Sequence, residues 1–189
     1  MSTSVHTARK ETDRCQDARS TITTTQTLAD SVENPQELIS LYGRVPSLDT
    51  VKIRSIHLSR LGPMAKLRID LPTYPDAAPA EWKEFDCDTV QCQVEFVNVS
   101  SFRMRNSALP TMADITFSIS EGTATVEIEG PGLSAAFTCL PFTLVGHIGA
   151  FKASNDGSDS GRHYYVRKID AKLFDSTPSL HQRTFYDSI

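Results

Sequence analysis

The sequence predicts a mainly β protein, an antiparallel β-sandwich or open barrel with one short N-terminal helix. Three observations favour this fold class. Runs of alternating apolar and polar residues recur along the chain, turn signals separate these runs, and clear helical periodicity appears in front of them. A parallel α/β fold would need helices between its strands, and the sequence does not contain helical patterns there.

The predicted helix lies in the segment ENPQELISLYG. Asn34 is suited to the N-cap, and Pro35 fits the first helical position. Leu38 and Leu41 form one apolar stripe, and Gly43 can adopt the left-handed conformation that ends a helix. We therefore expect about two helical turns before the sheet begins.

Eight or nine strands are predicted after this helix. The apolar parity changes within VKIRSIHL, which indicates a bulge near Arg54–Ser55. Glu121–Gly122 is typical of a hairpin turn, and Asn155–Gly161 (NDGSDSG) is predicted to be a flexible loop. The last strand is predicted from one parity: Tyr165, Arg167, Ile169, Ala171 and Leu173.

The chain divides into two parts by composition. Residues 1–31 are rich in threonine and serine and contain no aromatic residue, so we expect a disordered or loosely attached tail. Residues 32–189 are expected to form a single β-rich domain, long enough to bury a core without disulfides.

The net charge indicates which kind of partner the protein binds, and the cysteines and the lack of a signal indicate its cellular compartment. The formal net charge of −4 argues against nucleic acid as the main partner. The chain has neither a secretory signal nor an apolar run of membrane-spanning length, so we expect a cytoplasmic protein with reduced thiols. Exposed strand edges would be compatible with a homodimer.

The sequence offers little evidence for catalysis, a cofactor or a metal. Phosphate loops, nucleophile elbows and zinc-protease motifs are absent from it. Ser55, His57 and Asp70 could be combined into a hydrolase set, but such residues occur in many β proteins. Cys92 shares the parity of the core residues in its strand and is read as a small core residue, not as a metal ligand with Cys87. We therefore expect neither enzymatic activity nor a bound cofactor or metal.

The segment from Pro72 to Asp88 is the predicted partner-binding region. Three prolines make it stiff and, on the sequence alone, neither helix nor strand. It carries the sole tryptophan among carboxylates, a composition suited to a protein interface. The residues predicted to contact a partner are Tyr74, Glu81, Trp82, Glu84, Asp86 and Asp88. The alternative is that Trp82 folds back and plugs one end of the sheet, which leaves only the acids outside.

The basic run from Arg44 to Arg68 has its own ordinary explanation, since charges on neighbouring strands can pair across a sheet.

The alternative function is the binding of a small molecule. Five phenylalanines could line the cavity of a small-molecule-binding β-barrel as readily as they could fill a core. They are Phe96, Phe102, Phe117, Phe137 and Phe142.

A family resemblance supports the protein-binding interpretation. The segments NPQELISLYGRVPSLDTVKI, AKLRIDLPTYPDAAPAEW, DTVQCQVEFVNV, ADITFSI, VEIEGPGLSAAF and VGHIGAFK together resemble the immunity protein 50 family of bacterial polymorphic toxin systems. The resemblance covers about Asn34–Lys152. It implies a cytosolic antitoxin that binds one cognate toxin domain and blocks it without chemistry of its own.

Overall fold

A computed structural model of the chain describes residues 24–59 and 62–174. The strands in these residues are β1 (Thr24–Gln26), β2 (Thr50–Leu58), β3 (Met64–Asp70), β4 (Thr89–Val97), β5 (Ser100–Ser107), β6 (Thr111–Ser120), β7 (Thr123–Gly130), β8 (Leu133–Cys139), β9 (Thr143–Phe151) and β10 (Tyr164–Tyr165). The helices are α1 (Gln36–Tyr42), α2 (Ala80–Glu84) and α3 (Lys168–Leu173). The prediction of a mainly antiparallel β fold is confirmed.

All ten strands belong to one sheet, in the order β10-β9-β4-β3-β2-β6-β7-β8-β5, with β1 paired to the second half of β6. The sheet curls, as shown by two rings on strands that are not neighbours. Phe96 on β4 and Phe137 on β8 meet edge to face with centroids 5.1 Å apart. The Leu140 N–H also donates to the Val97 carbonyl at 2.9 Å. This single curled sheet corresponds to the open-barrel form of the prediction.

The core follows the alternation of the strands. On β3, Ala65, Leu67 and Ile69 are fully buried, and β7 and β8 alternate in the same way. Strand β4 is different, because Gln91 and Gln93 on its opposite face are buried as well. A polar layer therefore lies against this part of the sheet, outside the apolar core.

Helix α1 has its predicted end but a different start. Gly43 ends it with φ +72°, and its N–H donates to the Ile39 carbonyl at 2.8 Å, as predicted. Asn34 is not the N-cap; its side-chain amide donates to the Val145 carbonyl at 2.6 Å and accepts the Val145 N–H at 2.8 Å. A carboxamide has the donor and acceptor of a peptide group, so Asn34 ties the start of α1 to β9 instead.

Two local predictions about the sheet are confirmed. The β2–β3 register shifts between Ile53 and Ser55, where the bulge was expected. Glu121 and Gly122 have φ values of +51° and +76° in the β6–β7 turn, which is the backbone that a two-residue hairpin turn requires.

The predicted last strand is wrong beyond Tyr165. The chain turns into α3 there, with Ile169 and Leu173 about half exposed and Asp170 buried. The strand prediction failed because Tyr165, Ile169 and Leu173 are spaced by four residues. This spacing fits both the two-residue repeat of a strand and the i, i+4 neighbours of a helix.

The predicted tail boundary at residue 31 is too far along the chain. Residues Thr24–Gln26 pair with β6, and Leu28 is fully buried within a 3-10 turn, Leu28–Ser31. The turn begins with a capping box between Thr27 and Asp30. The rest of the predicted tail, residues 1–23, lies outside the described residues. Strands β5 and β10 end the strand order of the described sheet, and β1 pairs with β6 alone. The homodimer stays a prediction.

Candidate partner-binding surface

The segment between β3 and β4 is anchored to the sheet at both ends. The Leu71 N–H donates to the Val90 carbonyl at 2.8 Å, and the Asp88 N–H donates to the Phe151 carbonyl at 3.1 Å. Close to its start, the Tyr42 hydroxyl also donates to the Thr73 carbonyl at 2.8 Å. One part of the prediction is wrong, since the segment contains the short helix α2, which Pro79 precedes at the N-cap.

Trp82 is fully buried on the inner side of α2. Its ring lies 6.4 Å from that of the half-buried Tyr74, tilted by 55°. Trp82 is therefore wrong as a direct partner contact, and the alternative in which it packs inward describes the structure. Burial is the main cause that raises the pKa of the Tyr74 phenol, and electrostatic repulsion by the nearby Cys87 and Asp88 raises it further.

The four predicted contact carboxylates, Glu81, Glu84, Asp86 and Asp88, are exposed on the outer side of the same segment. Three of them act on one buried thiol. Burial raises the pKa of Cys87, and the negative charges of Asp88, Glu81 and Asp86 raise it further. These three carboxylates are thus close enough to Cys87 to create a common negative field there. Their role as partner contacts stays a prediction.

Asp88 is held more firmly than an ordinary surface acid. Its carboxylate accepts hydrogen bonds from the Ala153 N–H and the Thr89 hydroxyl, both at 2.9 Å, and lies 3.7 Å from the Lys152 ammonium. Burial by itself would raise the pKa of Asp88, but these three groups lower it below its usual value. The carboxylate is therefore ionised and fixed at neutral pH.

The structure adds Phe85, which the sequence reasoning missed. It follows α2 directly, remains 45% exposed, and stacks on Tyr164 of β10 with centroids 4.5 Å apart and an interplanar angle of 12°. The available signal was an aromatic residue with Glu84 before it and Asp86 after it, because charged neighbours on both sides favour a surface position. We call Phe85 and the four exposed carboxylates the acidic-aromatic surface.

The remaining candidate residues are engaged elsewhere. The Asp70 carboxylate accepts hydrogen bonds from Arg54 and Gln91, so it belongs to a buried ion cluster and not to a set with Ser55 and His57. Across β3 and β4, Lys66 lies 2.7 Å from the facing Glu95, which agrees with charge pairing as the explanation of the basic run.

Within the described residues, thiols and metal-binding side chains add no second candidate site. Cys92 is fully buried, and burial raises its pKa to about 12, as expected for a core residue. The described residues contain no group of three or more side chains arranged to hold a metal ion.

The phenylalanines considered for a ligand cavity mostly pack against one another. The Phe137 ring contacts Phe96 and also stacks on Phe102 with centroids 5.6 Å apart. Phe117 is buried, and Phe142 is half-buried. Three of the five rings contact one another as in a packed core, and the favoured site is therefore the acidic-aromatic surface.

The described residues form a β-rich fold with an exposed face that combines carboxylates and an aromatic ring. A family model described as Immunity protein 50 matches residues 34–146, more than half of the chain, and the chain belongs to this family. The resemblance found in the sequence is thereby confirmed. Searches of curated proteins and of solved structures gave no match. The helices in the described residues are all too short to cross a membrane.

Proposed function

We propose that this protein is an immunity protein that binds a cognate toxin domain and neutralises it by protein–protein contact in the cytoplasm, without catalysis. Membership of the Immunity protein 50 family is the observation that carries the proposal. The acidic-aromatic surface supports it, because it lies within the matched residues and combines an exposed aromatic ring with fixed negative charge.

The chemistry of this surface favours a partner with a basic contact area. Exposed carboxylates of one sign accelerate encounter with a positively charged partner and disfavour an acidic one. Phe85 adds apolar area, and because its ring already rests on Tyr164 it loses little freedom when a partner covers it. Phe85 is thus the expected anchor, and Glu81 and Glu84 are expected to guide association.

The experiment uses the product of the adjacent toxin gene, produced as an inactive variant, with binding measured by calorimetry. Phe85→Ala is expected to weaken binding by about 10- to 100-fold, the range of an interface anchor. Met112→Ala is the matched control, since Met112 is also about half exposed but lies on β6. It is expected to leave the affinity unchanged.

A second pair of variants tests the charges. Glu81→Gln/Glu84→Gln is expected to lower the association rate and to reduce its dependence on salt. Glu121→Gln/Glu127→Gln removes two exposed acids from the β6–β7 hairpin and serves as the control. If the wild-type protein neither binds the toxin domain nor relieves its toxicity, the proposed function is wrong. If it does both and all four variants behave alike, only the choice of surface is wrong.

A further inference from the structure

The loop between β9 and β10, residues 152–163, connects the acidic-aromatic surface to the buried ion cluster of the sheet. It lies outside the residues matched by the family model. The sequence predicts Asn155–Gly161 to be flexible, but in the structure its middle is bound to side chains of β2, β3 and β4. The prediction missed these bonds because their partners lie about 70 to 100 residues earlier in the chain.

The sheet supplies the first half of the cluster. Arg54 and Asp70 are both almost fully buried, and the guanidinium donates three hydrogen bonds of 2.6–3.0 Å to the carboxylate. The Gln91 amide donates a further bond to Asp70 at 2.9 Å. Alternation after the buried Ile53 puts Arg54 on the outer face of β2, the face that also carries Lys52, and the loop covers it there.

The loop supplies the second half. The Asp159 carboxylate accepts a hydrogen bond from Gln91 at 3.0 Å and lies 3.7 Å from Arg54 and 3.6 Å from Arg68. The Gly157 carbonyl accepts bonds from Arg54 at 2.9 Å and from Lys52 at 3.1 Å. Two guanidinium groups thus face two carboxylates, and one of these carboxylates comes from the loop.

Both ends of the loop touch the acidic-aromatic surface. At its start, the Ala153 N–H holds the Asp88 carboxylate. At its end, Tyr164 lies under the Phe85 ring. Phe151, the last residue of β9, has the Arg54 guanidinium 5.5 Å from its ring centroid and stacks on His163 at 4.6 Å. Its carbonyl accepts the Asp88 N–H.

We propose that Asp159 is a positioning residue that clasps this loop to the sheet and thereby fixes Phe85 and Asp88 in the orientation in which they meet the toxin. The proposal rests on the proposed function for its binding consequence, but its structural part stands on the described contacts alone. Without the Asp159 charge, Arg54 and Arg68 lose a counter-ion, while the Gly157 carbonyl still accepts from Arg54 and Lys52.

Hydrogen exchange of the full-length protein tests the structural part without a toxin. Asp159→Asn is expected to speed amide exchange at Asp88 and in residues 153–164 by about tenfold, and to leave β6–β8 unchanged. Asp156→Asn is the matched control, because Asp156 lies in the same loop and its carboxylate accepts the N–H of Ser158, another residue of that loop. Exchange at Asp88 that does not differ between the two variants overturns the clasp, whatever the toxin experiments show.

A double-mutant cycle with the inactive toxin domain tests the binding part. Asp159→Asn is expected to weaken binding by about fivefold alone, but by clearly less in a chain that already carries Phe85→Ala, because part of its effect acts through that ring. Asp159→Glu keeps the charge and is expected to restore most of the affinity. Independent, multiplying losses would overturn the positioning role. If wild-type binding itself is absent, the proposed function fails and the exchange result still decides the clasp.

Discussion

The substitution Asp70→Asn tests how strongly the buried ion cluster stabilises the fold. The two side chains differ little in volume, so the change removes charge without opening a cavity. Asparagine has an amide NH2 in place of one carboxylate oxygen. This NH2 would face the N–H donors of Arg54 or Gln91, with which it cannot form a hydrogen bond. The Arg54 guanidinium would keep its bond to Gly157 but lose its closest counter-ion.

The expected loss of stability is large. The side chains of Arg54 and Asp70 are only 4% and 7% exposed, so water screens the pair weakly. Removing one partner of a buried pair costs about 3–5 kcal/mol. The lower part of this range is expected here, because the Asp159 carboxylate at 3.7 Å and the Gly157 carbonyl still face Arg54. For a chain of this size that corresponds to a decrease in Tm of about 10 °C. Replacing both partners, as in Arg54→Met/Asp70→Leu, is expected to cost less than Asp70→Asn alone.

Urea unfolding at pH 7 measures this loss. Asp114→Asn is the control, because Asp114 is exposed and accepts one hydrogen bond from Thr50; it is expected to cost less than about 1 kcal/mol. A loss for Asp70→Asn no greater than that of the control, with an unchanged denaturant slope, would show that the cluster is solvated in solution and would refute the reasoning.

Three further predictions follow from the same structure. Burial raises the pKa of Asp159, but Gln91, Arg68 and Arg54 together lower it below its usual value. The stability that this carboxylate contributes is therefore complete above the ordinary carboxyl pKa and is lost as the pH falls through the lowered pKa. Urea midpoints measured from pH 6 to pH 3 should fall less steeply in Asp159→Asn than in the wild type. A Cβ at Gly130 would lie 2.3 Å from the Met112 carbonyl oxygen, so Gly130→Ala should destabilise by about 1–3 kcal/mol in thermal unfolding, whereas Gly146→Ala, with open space around it, should not. Burial raises the pKa of both Cys92 and Cys139 to about 12, so peptide mapping should find these thiols unalkylated at pH 8 until denaturant is added, and rapid native labelling of either would contradict their placement in the core.

The sequence was sufficient for features that depend on neighbouring residues. The change of parity in VKIRSIHL located the bulge at Ile53–Ser55, and Glu121–Gly122 and Gly43 were recognised because their backbone conformations have local sequence requirements. Pairings across long sequence separations were not predictable in the same way. Asn34 has the local signature of an N-cap, and its bond to Val145 can be seen only once β9 is in place.

The covering loop explains why a buried cation escaped the sequence reasoning. Alternation places Arg54 on the outer face of β2, where an arginine is expected to meet solvent. Its burial comes from contacts with Gly157 and Asp159, which lie more than 100 residues later in the chain. Asp70 was considered for catalysis because its type is common in active sites. Its two hydrogen-bonding partners on different strands make it a structural residue instead.

The candidate surface shows the same limit for aromatic residues. Trp82 and Phe85 are three residues apart beside the same acids, and composition favours tryptophan as the anchor of an interface. Since α2 ends at Glu84, the two rings do not share one helical face; Trp82 packs inward, and Phe85 leaves the helix towards solvent. The buried indole packs α2 against the core, and Tyr164 stacks on the Phe85 ring. A ring of smaller area can therefore serve as the anchor, because its position is fixed before a partner arrives.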